Sequence, residues 1–264
     1  MKKRKIPVPI SDMVSKDIAI KGDGWELGAR VSVSTKVTEP AEMLPLARAL
    51  SDAVVAETFK VVARSGETVS CRAGCGACCR HMVAISEVEA RRISEMIDTM
   101  PEPRRTAIRT RFAEARERLE QSNLLDRLQN PDTVTDEEYG PLALEYFSQR
   151  IPCPFLENES CSIYDERPIT CREYLVMSPS ENCARPEENN VRRVQMPLRV
   201  FNAVARWTNS PGTNFKERWV PLILAPEWAA TTPPERANKS GVQLLKDLLH
   251  HLATKEEDSD SLEN

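Results

Sequence analysis

Eight cysteines are the residues of this chain best suited to chemistry, and they fall into two groups with none outside them. The first is compact, Cys71-x3-Cys75-x2-Cys78-Cys79, inside Ser70-Cys71-Arg72-Ala73-Gly74-Cys75-Gly76-Ala77-Cys78-Cys79-Arg80. The second is open, Cys153-x7-Cys161-x9-Cys171-x11-Cys183. Buried structural thiols scatter along a chain, whereas metal ligands must converge, with each sulfur roughly 2.3 Å from its ion. Two or three intervening residues let a chain curl until neighbouring thiolates face inward. Gly74 and Gly76 add the positive φ angles and close backbone approach that such a loop needs. Its amides can donate to the sulfurs and lower their charge cost.

All eight, Cys71, Cys75, Cys78, Cys79, Cys153, Cys161, Cys171 and Cys183, are therefore candidate metal or cluster ligands. Sulfur-only coordination favours iron–sulfur centres or zinc over oxygen-seeking ions. Two four-sulfur sites, or one cubane [4Fe–4S] cluster with the other thiols structural or reactive, fit the spacing equally. Cys153-Pro154 echoes the Cys-Pro ending of ferredoxin runs, a pointer to iron. Cys78 and Cys79 are adjacent, so their side chains are expected to diverge and to serve different roles. Arg80, Arg167 and Arg172 flank the cysteines and could neutralise a negative thiolate centre or hold an anionic substrate; loop ion pairs to Asp165, Glu166 or Glu173 are the alternative. His81 is expected at the surface or as a cap, rather than as a ligand.

The rest of the chain excludes several classes. Lys+Arg 36 against Asp+Glu 40 gives a net charge of −4, with no sequence-wide attraction for nucleic acid or anionic lipid. The basic opening Lys2-Lys3-Arg4-Lys5 runs into Pro7 and Pro9 without the apolar run of a secretory signal, and no stretch is long enough to span a bilayer. A cytoplasmic location is expected, where clustered thiols stay reduced and read as metal-binding or redox-active. Phosphate-binding loops, Ser-His-Asp sets and hydrolase histidine motifs are absent. Partners are expected to be redox or protein partners, without nucleic acid or membrane.

The elements that must position the thiols read as mainly helical α+β. Residues 17–20 and 29–37 alternate as a two- or three-stranded N-terminal ribbon around Gly22-Asp23-Gly24. Pro40 opens a helix with Leu46, Leu50, Val54 and Val61 on one stripe, closed by Gly66. Ser86 and Glu89 form a capping box ahead of Ile93, Met96, Ile97 and Met100. Pro101 and Pro103 break that helix and start another, with Ile108, Phe112, Ala115 and Leu119 on one face and arginines alternating with acids on the other. A short helix follows at 135–149. The proline-rich stretch 153–183 predicts loops and turns, and helical spacing returns at Val200, Val204 and Trp207. Thr231–Pro234 reads as a linker before a last helix with Leu245, Leu248, Leu249 and Leu252; the acidic tail after it is too polar to pack. The expected organisation is an extension over 1–40, a cysteine-cluster domain over 41–230, and a linker, helix and tail over 231–264.

Two blocks, Cys75-Gly76-Ala77-Cys78-Cys79-Arg80 and Cys153-Pro154-Phe155-Leu156 … Cys161-Ser162-Ile163-Tyr164-Asp165-Glu166-Arg167-Pro168 … Cys171-Arg172, resemble the CxxCxxCC cysteine-cluster family, a zinc- or iron-chelating domain of the YkgJ type. The resemblance covers about residues 70–185 and departs by one residue between Cys71 and Cys75. It implies a metal-chelating module, with one related branch associated with lysine N-methylation of flagellin; no methyl-transfer residue carries over. A redox or protein-modification role for an iron–sulfur centre is one expectation. A non-enzymatic zinc module that staples a loop-rich region is another. Cys71-x3-Cys75-x2-Cys78 also has the spacing of radical S-adenosylmethionine enzymes, but Ala77 replaces the usual aromatic and Cys79 follows at once. A thiol–disulfide reductase built on Cys75-Gly76-Ala77-Cys78 lacks its βαβ frame.

Overall fold

The computed structural model describes residues 12–22, 25–185, 190–207, 219–234 and 236–253. It is α+β and mainly α, with a short N-terminal ribbon. Strands β1 (Met13–Gly22) and β2 (Trp25–Ser34) pair antiparallel from Met13↔Ser34 to Gly22↔Trp25. The period-two alternation puts Val14, Ile20, Leu27, Val31 and the buried Val33 against the main core. The expected strand ends at Ser34 rather than Val37, which instead bridges to Ser240. Residues 1–11, the turn residues 23–24 and the acidic tail from 254 lie outside the described residues.

A 3-10 turn at Pro40–Met43 leads into α1 (Leu44–Arg64), and Gly66 at φ 77° stops it. The buried stripe is Leu44, Ala47, Leu50, Ser51, Val54, Thr58 and Val62, so the expected face is rotated: Val61 is 40% exposed. Polar Ser51 and Thr58 can join the stripe because each has a partner, Glu173 Oε1 and Val54 O. The loop 65–83 carries the first cysteine group. Then β3 (Ala84–Ser86) leads into α2 (Glu87–Thr99), whose capping box closes as expected. Glu89 does more than cap: its Oε1 also accepts the Ile169 amide at 2.8 Å, tying α2 to the second cysteine stretch.

Helix α3 (Arg104–Gln121) buries Ile108, Phe112, Ala115 and Leu119, the predicted face. Its arginines are held by neighbours: Arg109 by Asp98, Arg116 by Glu227, and Arg111 by Glu157 and the Pro154 carbonyl. Short α4 (Leu125–Gln129) and α5 (Asp136–Ser148) follow. The stretch after them has little regular structure, as its prolines predict: a two-residue hairpin of β4 (Leu156–Glu157) and β5 (Ser160–Cys161), the one-turn α6 (Ile169–Glu173) and a 3-10 turn at Ser180–Ala184. Then come α7 (Val200–Ala205), β6 (Trp219–Pro221) paired with β3, α8 (Ala225–Thr231) and α9 (Gly241–Ala253).

The largest apolar core joins β2, α1, α7 and α9, with Leu244, Leu245, Leu248 and Leu252 of α9 buried in it. A second core joins α2 and α3 to Phe155 and Ile163. No helix among the described residues is long and apolar enough to cross a membrane.

Candidate metal centre

The first cysteine group sits on irregular backbone whose shape its glycines set. Gly74 has φ 82°, a left-handed conformation that L side chains avoid. Turn hydrogen bonds Cys75 N→Arg72 O (3.2 Å), Cys79 N→Gly76 O (3.0 Å) and His81 N→Cys78 O (3.0 Å) curl the loop. Gly76 allows the second group to approach: a Cβ there would lie 2.6 Å from Glu159 O and 2.6 Å from Leu156 Cδ1. The hairpin turn Asn158-Glu159 has both residues at positive φ, the geometry of a tight two-residue connection. Glu159 is fixed there by a bidentate pair with Arg80 at 3.0 and 2.7 Å.

The two remote stretches meet. Cys153 N donates to Cys79 O at 2.8 Å, and Val176 N donates to Cys71 Sγ at 3.3 Å. All eight cysteines line one cavity of about 1070 Å³. None is in a disulfide. Among the described residues no group of three or more His, Cys, Asp or Glu side chains stands together as a ready ion site. Such a space is much larger than a single ion with sulfurs roughly 2.3 Å away.

Burial dominates the electrostatics. It pushes Cys153 up to about 12, Cys171 well above the ordinary thiol value, and Cys71 and Cys161 upward. Burial also raises Cys183 to about 12, against a hydrogen bond from Tyr174. Cys78 goes the other way, to about 7, because the Cys79 thiol hydrogen-bonds to it and Arg167 lies near. That bond holds Cys79 protonated. Both adjacent thiols line the cavity, on the turn closed by Cys79 N→Gly76 O. A thiol held protonated by burial becomes a thiolate on binding a metal, so metal uptake should release protons.

The flanking arginines find other partners than expected. Arg80 pairs with Glu159, at the outer side of the loop. Arg172, only 5% exposed, pairs bidentately with Asp52 of α1 at 2.7 and 2.8 Å and donates to the Arg167 and Asp165 carbonyls. Asp52 lies too far away in sequence for local spacing to suggest it. Arg167 lines the cavity, stacks 3.9 Å over the Tyr164 ring, and has a buried Nε without a hydrogen-bond partner. An unpartnered guanidinium N–H beside thiols fits an anionic sulfur-ligated centre. His81 donates from Nε2 to Cys183 O at 2.7 Å, capping the 3-10 turn, with its ring near Phe147 and Tyr174. Burial lowers its pKa, so the ring is held neutral.

Residues 70–193 match the model of the CxxCxxCC family, described as a candidate zinc- or iron-chelating domain. Residues 70–193 of the chain are similar to a CxxCxxCC domain. The match reaches past the expected span to Arg193, which also lines the cavity, and takes in every cysteine. No curated protein and no solved structure matches the chain. The CxxCxxCC domain spans the first-group loop, α2 to α6 and the Ser180–Ala184 turn, while parts of the cavity wall come from outside it, on α1, α7, β6 and α9. Sequence reasoning passed over the wall residues Arg199, Asn202 and Arg206; their i, i+3, i+7 spacing, among otherwise buried α7 positions, was the available signal.

Gly76→Ala tests the close approach of the two groups. The added methyl must displace the Glu159 backbone, and with it the hairpin carrying Cys161. Metal affinity is expected to fall roughly tenfold or more, with helical circular dichroism retained. Unchanged metal affinity, measured by competition with a chromophoric chelator, would show that this approach is unimportant.

Proposed function

We propose that the CxxCxxCC domain holds an iron–sulfur cluster, with the cubane type as first choice, in a redox or protein-modification role. The observation that carries this is the donor chemistry of one cavity: eight thiols and, among the described residues lining it, no aspartate or glutamate. Soft sulfur donors without hard oxygens suit iron–sulfur or zinc. Eight thiols are twice the number that one tetrahedral ion takes, which favours a polynuclear group over a lone ion. A bound cluster supplies electron transfer.

The protein's own groups would hold and tune it. Cys71 accepts the Val176 amide and Cys183 the Tyr174 hydroxyl, both of which favour the thiolate form. Arg167 offsets negative charge at Cys71, Cys78 and Cys161. Which of the eight bind directly, and which stay as free thiols, is decided by the loaded state. The reading fits a reducing, cytoplasmic setting and a redox or protein partner.

A structural zinc site is the second reading, favoured by the sparse regular structure between Cys153 and Cys183. Anaerobic purification separates the two. Brown protein with visible absorption, iron and acid-labile sulfide supports the cluster; colourless protein with stoichiometric zinc and no sulfide would overturn it.

A further inference from the structure

The lining of the cavity has a composition that metal ligation alone does not require. Six arginines, Arg72, Arg167, Arg172, Arg193, Arg199 and Arg206, line it, with no aspartate or glutamate among the described lining residues. The chain as a whole has more acids than bases, 40 against 36, so arginines are concentrated along this cavity, where Arg172 is paired with Asp52. Arg167 and Arg172 lie on the thiol side, where both act on Cys161. Arg199 and Arg206 flank α7 on one stripe with Asn202 between them, and all three line the cavity, while the intervening α7 residues are buried in the core. Arg193 adds a third cation, 5.1 Å over the Tyr174 ring.

The cavity is also lined by aromatic rings. Tyr139 and Trp219 line it in edge-to-face contact, with ring centroids 6.0 Å apart, and Tyr174 lines it too, with its ring 5.7 Å from that of His81. Pockets of this size with an apolar body and a few convergent polar groups are built for small organic ligands. A guanidinium presents five N–H donors in a planar fork that matches carboxylate and phosphate oxygens, so it can keep a protein partner and still face a ligand.

We propose that this cavity also binds a small organic anion, a carboxylate or phosphate on a flat apolar body, held by Arg199 and Arg206 beside the metal centre. The inference deepens the metal-centre reading by naming the chemical class of what lies next to it, and it rests on that reading only for the neighbour's identity. Charge and shape together define the ligand: the arginines take its anionic end, and the rings of Tyr139 and Trp219 cover its body.

The test is calorimetry on the full-length, metal-loaded protein with phenyl phosphate, phenylacetate and the neutral phenylacetamide. At least one of the anions should bind, and the amide should bind roughly tenfold or more weakly. Arg199→Gln/Arg206→Gln should lose roughly tenfold or more of that affinity while its metal content stays at the wild-type level. Each single glutamine variant should lose roughly threefold to tenfold, so the reading does not depend on how the double variant folds. No binding of either anion, equal binding of the amide, or variants that bind like wild type would overturn the proposal. Anion binding by protein that never contains metal would uphold this site and remove the metal-centre reading, so the two can fail separately.

Discussion

Stripping the metal from the purified protein is expected to lower its thermal midpoint by roughly 8–16 °C, with hydrogen exchange accelerated over 153–183. The reason is the thinness of what else holds that stretch. Between Cys153 and Cys183 there are two two-residue strands, a five-residue helix and isolated turns. Metal binding to thiolates that exist as a site only when folded contributes to folding directly. In small zinc modules the apparent value is roughly 10–16 kcal/mol; here helices α1, α2, α3 and α9 have apolar cores of their own, so on the order of 4 kcal/mol is a conservative share. At roughly 2–4 °C per kcal/mol for a chain of this size, the shift follows. Cys171→Ser should reproduce much of the loss, because its sulfur faces the cavity from the inner side of α6 and burial already holds it protonated. Exchange in the α1–α9 core should change little. A midpoint unaffected by chelation and by Cys171→Ser would mean that the thiols play no part in holding this region.

Glu173→Ala is expected to cost about 3–4 kcal/mol in chemical denaturation, through a mechanism independent of metal. Glu173 is 5% exposed, and its Oε1 accepts the Val200 amide at 2.7 Å and the Ser51 hydroxyl at 3.3 Å; Oε2 accepts the Phe201 amide at 3.4 Å. One carboxyl thereby joins α6, α1 and the start of α7. Burial raises its pKa to about 7, so it is partly protonated near neutrality. Alanine removes the acceptor and leaves two buried amides and a hydroxyl without it, at roughly 1–3 kcal/mol per group before relaxation. Glu173→Gln keeps an oxygen for Val200 and Ser51 but sets its NH2, a donor, against the Phe201 N–H, so only that long contact is lost and the cost should be about 1–2 kcal/mol. Equal losses for the two variants would show that side-chain volume, rather than the acceptor, is what the site needs.

Local periodicity made most of the framework legible. The α3 face and the Ser86–Glu89 box required only neighbours in sequence, and both formed as expected. Where a long-range polar partner decides, local reading faltered. The α1 face is rotated because Ser51 and Thr58 are buried, and Ser51 is bonded to Glu173, which no spacing reveals. The same holds for Arg172, whose partner Asp52 is on α1, and for Glu89, which reaches Ile169. The cysteines could be recognised as a set because ligation demands convergence. Their mutual arrangement could not: it depends on the turns from Arg72 to His81 and on the Cys153 N→Cys79 O bond between the two stretches. The cationic stripe on α7 was readable as i, i+3, i+7, but its significance appears only when the cavity it faces is known.

X-ray absorption at the metal edge of anaerobically prepared protein tests most directly whether these thiols share an inorganic centre. The expected result is a first shell of sulfur alone at roughly 2.3 Å, with an iron–iron scattering shell for a cluster. A first shell dominated by oxygen or nitrogen, or protein prepared without air that contains neither iron nor zinc, would contradict it.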